Sequence, residues 1–233
     1  MDTQNNEFKD INERDEKETN DIKEDIVLNP WFSIWLKPRK TMRYVLDTKP
    51  GKLFLLIYLG ILVTSLDRGA SNEPGDTMNL FSILFTSIIG SLFFTAIAYY
   101  IAPLLLRWTG SLLGGRGTTE EVRYAYAYSY IPYAYSLIFI WIPSLLLFGI
   151  NNFTTEYAYS IYSSSTLTNL MFIFNLLDLI IAIWAIFTTI KCLAEAHQFS
   201  SWRSLGAIII SFLVIFIPLF ILFALIFPIL IFS

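Results

Sequence analysis

Two residue types that build many catalytic and metal centres are nearly missing from this chain, which holds one cysteine, Cys192, and one histidine, His197. A single cysteine excludes an intramolecular disulfide and any zinc or iron–sulfur site built on thiolates. A single histidine makes no metal site. His197 lies beside Gln198 and Ser200 in an expected loop, with no acid placed for Ser-His-Asp chemistry, and a titrating role near neutral pH is the minor reading. Charge is also scarce, at 15% of residues against 55% hydrophobic, with a mean hydropathy of +0.56. A soluble chain of 233 residues needs more charge to cover its surface, so the chain reads as an integral membrane protein.

A nucleotide-binding lysine is missing as well. A phosphate-binding loop needs G-x-x-x-x-G-K-[ST] between a strand and a helix, so that amides and lysine cradle the phosphates. Gly110 and Gly115 have that spacing, but Arg116-Gly117 follows where Lys and Ser or Thr are required. ATP hydrolysis is therefore not expected of this chain. No catalytic set, cofactor site or metal site emerges, and the expectation is a protein that is not an enzyme.

What charge there is lies in clusters. Residues 1–30 hold ten acids against four bases, and the segment 1–28 is expected to be a disordered acidic tail. No apolar run precedes residue 50, so it does not read as a signal peptide. Residues 29–48 form the next unit, an interfacial amphipathic helix and a basic linker. Trp31, Phe32, Ile34 and Trp35 fall on neighbouring faces of a short helix that Pro30 starts. Lys37, Arg39, Lys40 and Arg43 follow at once. This pattern predicts an amphipathic helix lying at an anionic leaflet.

Residues 49–233 carry five apolar segments, expected at about 53–66, 78–106, 131–150, 167–190 and 205–232. The first is short for a bilayer that needs about 20 residues, and extending it backwards through Lys49 and Lys52, which snorkel, gives it the length. The fold class expected is all-α, with five transmembrane helices behind an interfacial helix and an acidic tail. With the N-terminus in the cytoplasm, fifteen of the sixteen Lys and Arg residues face inward and Arg68 alone faces outward, in accord with the positive-inside rule. The C-terminal Ser233 then lies outside a plasma membrane. Asn152-Phe153-Thr154 matches a glycosylation acceptor that matters only in a secretory pathway.

Thr109 to Tyr135 is the one long polar interruption. It holds Gly110, Gly114, Gly115 and Gly117, then a helix start at Thr118-Thr119-Glu120-Glu121, then six tyrosines suited to a membrane–water boundary. Asp178 is the one acid expected deep in a span, with Asn175 three residues earlier on the same helical face. A carboxylate in hydrocarbon is costly unless paired, hydrated or protonated. The favoured reading is an interhelical hydrogen bond; the alternative is a small carrier or channel using Asp178 for a proton or cation.

Asn29-Pro30-Trp31, the Pro38-Arg39 pair, the glycine-rich loop, Ala-Tyr-Ser-Tyr-Ile-Pro at 127–132 and the loop Lys191 to Ser200 together resemble the Yip1 family, over about residues 29–225. The resemblance implies a five-helix membrane domain without established catalytic chemistry. Eukaryotic members are linked to small GTPases and vesicle traffic; bacterial members often stand beside transporters. Within the bacterial branch, it implies an accessory protein of an ABC-type exporter that protects against a toxic peptide. Expected partners are membrane lipids, an exporter permease, ATPase or adaptor subunit, and a second copy of the chain; nucleic acid is not expected. Residues placed for lipid or partner contact are Trp31, Trp35, Arg39, Arg43, Arg107, Arg116, Glu120, Glu121, Arg123, Tyr130 and Pro132.

Overall fold

The computed structural model describes residues 28–155 and 165–232. The expected acidic tail up to residue 27, the 156–164 part of the second outer loop and Ser233 lie outside them.

The expected short helix is present, and the basic stretch expected to follow it as a linker is a second helix. Asn29 caps α1 (Pro30–Leu36) by accepting from the Trp31 N–H at 3.1 Å, and Pro30 fixes its first turn. Pro38 disfavours helical geometry at Lys37, so α1 ends there and α2 (Pro38–Thr48) begins. The Thr41 hydroxyl donates to Ser33 Oγ at 2.8 Å across the elbow. The first span, α3, runs Leu53–Asn72. It gains length forward past Asp67, and not backward as the sequence suggested. Lys49 and Lys52 instead adopt left-handed φ values of 44° and 72° and make the turn between α2 and α3.

The second span is α4 (Leu80–Leu112), capped by Asn79. A reciprocal capping box between Thr118 and Glu121 starts α5 (Thr119–Tyr128). The third span continues through α6 (Ile131–Ser136), a widened π turn at Leu137–Trp141 and α7 (Ile142–Phe148), closing in a 3-10 turn at Gly149–Phe153. Pro143, just beyond the π turn, has no N–H to return to the preceding carbonyls. The last two spans are α8 (Ser165–Ala196) and α9 (Ser201–Phe232). Among the described residues there is no strand, and five helical units are long and apolar enough to cross a membrane.

The apolar side chains point outward on a scale no soluble bundle tolerates, with Leu146 82% and Phe81 76% exposed and the described part of α9 mostly so. In lipid such a bundle is held by close packing and polar contacts between helices. One buried core joins Ile34, Met42 and Val45 of the elbow to Ile57, Tyr124, Tyr128, Ile131 and Cys192. A second, toward the opposite end, gathers Val63, Leu66, Ile83, Trp141 and Phe153. The Thr109 and Ser211 hydroxyls meet at 2.8 Å and tie α4 to α9.

Two of the six tyrosines turn inward. Tyr124 and Tyr128 are buried in the first core, and Tyr124 Oη donates to the Lys49 carbonyl at 3.2 Å. The rings are drawn inward because the α2–α3 turn leaves carbonyls for their hydroxyls. Tyr130 packs against Gly60, where a Cβ would stand 1.8 Å from its ring. Gly60→Ala should therefore destabilise the bundle by about 1–3 kcal/mol through overpacking. A lowered Tm in detergent, restored by adding Tyr130→Ala, checks this; an unchanged Tm contradicts the close approach.

Candidate functional site

Two polar centres lie at opposite parts of the bundle. The first is a platform at the end bearing most of the described bases. Its pivot is His197, which lies in the turn between α8 and α9 as expected and is fully buried there. Its Nε2 lies 3.3 Å from the Leu106 carbonyl, an acceptor, so the ring carries its proton there. Nδ1 is buried without a hydrogen-bond partner. The glycine-rich loop folds round this ring. A Cβ on Gly110 would stand 2.3 Å from the imidazole, one on Gly115 2.5 Å, and one on Gly117 2.6 Å from the Ala196 carbonyl. The Arg116 N–H donates to the His197 carbonyl at 3.1 Å. Gly110 and Gly115 are thus kept free of side chains by a residue more than eighty positions away, while Arg116 beside them stays exposed.

The elbow is clamped onto the α8–α9 turn that carries His197. Arg39 Nη2 donates to the Phe199 carbonyl at 2.7 Å, and Arg43 pairs with Glu195 at 2.6 Å. Lys49 pairs with Glu120 at 3.0 Å, which raises the Lys49 pKa through that hydrogen bond and charge. This outer pair is exposed and adds little stability. Tyr135 Oη donates to the Trp31 carbonyl at 3.2 Å, and Trp35 meets the Tyr135 ring edge-on at 5.3 Å.

Of the residues proposed for outside contact, several are turned inward. Arg123 donates to the Tyr99 carbonyl at 3.2 Å and lies over the Tyr99 ring. Glu121 is held by the Thr118 cap. Tyr130 shares a 2.8 Å hydrogen bond with Tyr126, and Pro132 is buried. Arg107 and Arg116 are exposed, as is Trp31. Arg39 and Arg43 hold the elbow with their head groups, and Glu120 is taken by Lys49.

The second centre overturns the reading of Asp178 as a lone acid. Asp67 lies inside α3, five residues before its end, and lines with Asp178 and Asn175 a cavity of about 200 Å³. Ser144 and Asn152 complete its polar wall. Each acid has one neutral donor. Ser136 Oγ donates to Asp178 Oδ1 at 2.7 Å, and Trp141 Nε1 donates to Asp67 Oδ1 at 2.8 Å. These donors stand at either side of the π turn, whose extra residue per turn aims Trp141 back at α3. The favoured interhelical hydrogen bond at Asp178 is thus present, and a second acid shares its cavity. Asp67 escaped the sequence reading because the apolar run was stopped there; the helical continuation Arg68-Gly69-Ala70-Ser71-Asn72 was the available signal. Among the described residues no cluster of metal-ligating side chains occurs.

The fold and these centres define a five-span helical membrane protein with a clamped amphipathic elbow. A family model for the Yip1 domain matches residues 32–224, and the chain belongs to that family of multi-pass membrane proteins. No curated protein and no solved structure matches it.

Burial holds the His197 pKa below its ordinary 6.5, against the opposing effect of the Leu106 hydrogen bond. The neutral ring is the folded form, while the unfolded chain takes up a proton as pH falls through about 6.5. The stability that His197 contributes is thus present above that pH and lost as pH falls toward the folded pKa. His197→Gln should lower Tm near neutral pH and flatten its decline toward about pH 5.5. Parallel Tm profiles for both proteins would contradict a buried neutral ring.

Proposed function

We propose that this chain is a non-enzymatic accessory or scaffold protein of a plasma membrane, holding subunits of an ABC-type exporter together or in an active arrangement. The observation that carries the reading is the platform. The elbow, the glycine loop and the α8–α9 turn are joined by side-chain bonds into one surface, and its outward groups are uncommitted. Phe32 and Leu36 of α1 and Trp202 of α9 are strongly exposed beside it, with exposed Lys40, Arg107 and Arg116 near the same end. Apolar and cationic groups on a fixed frame suit contact with another membrane protein's juxtamembrane face and with anionic headgroups.

The exporter class rests on the resemblance to bacterial members of the family, and protection against a toxic peptide is the physiological role proposed with it. The distribution of lysine and arginine supports a cytoplasmic N-terminus and an external C-terminus. The two acids, each hydrogen-bonded to a side chain of the third span, are read as pins of the bundle.

Affinity purification from the native membrane in mild detergent, followed by mass spectrometry, tests the proposal. The expected result is recovery of an ABC-type ATPase, its permease and an extracellular adaptor. Phe32→Ala with Leu36→Ala should reduce that recovery about tenfold or more, in keeping with the loss of two anchoring apolar contacts. Recovery of only lipid, chaperones or the chain itself sinks the proposal.

A further inference from the structure

We infer that the groove between α3, α4 and α9 binds one acyl chain of an anionic phospholipid whose phosphate pairs with Arg68. The groove encloses about 590 Å³, within the range of built ligand sites. Its α4 wall runs from Ser91 to Leu106, about 22 Å of helix at ~1.5 Å per residue. That exceeds the ~15 Å depth of one leaflet, half of a ~30 Å hydrocarbon core. The length suits an acyl chain. Phe94 and Phe212 flank it and are themselves more than half exposed, so the groove is open sideways, where lipid enters.

Two features distinguish it from an ordinary greasy seam. The first is Arg68, which lines the groove near the end of α3 where α4 begins. Among the described residues the Arg68 side chain makes no ion pair or hydrogen bond, although Asp67 adjoins it and is bonded to Trp141 on another side. An exposed guanidinium near the end of a span is placed to meet an anionic headgroup, and a phosphate matches its planar fork better than any neutral group. The second is Ser91, a residue of the groove wall that is 1% exposed and whose buried hydroxyl has no partner in the protein. A buried donor left unsatisfied is costly, and a phospholipid offers ester carbonyls to accept from it. A partner's transmembrane helix brings backbone carbonyls already committed to their own helix, so lipid is the occupant that answers both groups.

The test uses full-length protein in phosphatidylcholine nanodiscs containing a trace of phosphatidylglycerol with a diazirine in one acyl chain. Photolabelled peptides are mapped by mass spectrometry. The expected labels fall on α4 between Ser91 and Leu105 and on α9 between Ile208 and Ile215, and unlabelled phosphatidylglycerol displaces them about tenfold better than phosphatidylcholine, the weight of one partly shielded ion pair. Oleate competes weakly and inorganic phosphate not at all. Arg68→Gln should erase the preference for the anionic headgroup and Arg68→Lys keep it, while Ala102→Trp should cut labelling for every headgroup. Equal competition by phosphatidylcholine in the unaltered protein, a preference that survives Arg68→Gln, or labels confined to peptides outside the groove would each overturn the inference. The first and third readouts need no variant, so a variant that fails to fold leaves the decision intact.

Discussion

The neutral imidazole of His197, closed in by Gly110, Gly115 and Gly117, is the contact on which the arrangement of the basic end depends. It forces the α4–α5 loop to run against the α8–α9 turn with no room for side chains between them. Once that turn is fixed, its Phe199 carbonyl and Glu195 carboxylate stand where Arg39 and Arg43 reach them. The amphipathic elbow is thereby docked on the bundle. Burying an imidazole with one nitrogen unpaired costs free energy, and the fold tolerates it because packing from three sides and the Leu106 hydrogen bond offset the cost.

Toward the other end, the same logic is carried by carboxylates. Hydrocarbon supplies no water to satisfy Asp67 or Asp178, so each must find a donor within the protein. The third span provides both, through Ser136 before its π turn and Trp141 at the end of it. A regular helix would carry Trp141 to a different face. The irregular turn is thus the local distortion that lets one helix hold two neighbours, α3 and α8, by polar contacts in a medium where apolar burial between helices gains little.

How much of this was legible in the sequence varies with the range of the interaction. The five spans were legible because long apolar runs have few other uses, and the Thr118–Glu121 helix start because a capping box is local. Pro38 also signalled a break at Lys37, though the basic run after it was expected to be a linker and is a second helix. The long-range pairings were hidden. Nothing near Gly115 announces His197, and nothing near Asp67 announces Trp141, because those partners meet only when spans pack. The inward turn of Tyr124 and Tyr128 was missed for the same reason: amphipathic rings suit a membrane boundary and a half-polar core equally well, and only the carbonyls of the α2–α3 turn decide between them.

The central claim is that the basic end is a preformed, rigid surface rather than a flexible edge that orders on contact. Hydrogen–deuterium exchange on the purified chain in lipid nanodiscs measures this directly, because exchange reports local opening. Amides of the elbow, of the 113–121 loop and of the 194–200 turn, including the Arg116 N–H bonded to the His197 carbonyl, should exchange as slowly as those of the neighbouring helix ends. Rapid exchange across these three segments in the isolated protein, slowed only when other subunits are added, would contradict it.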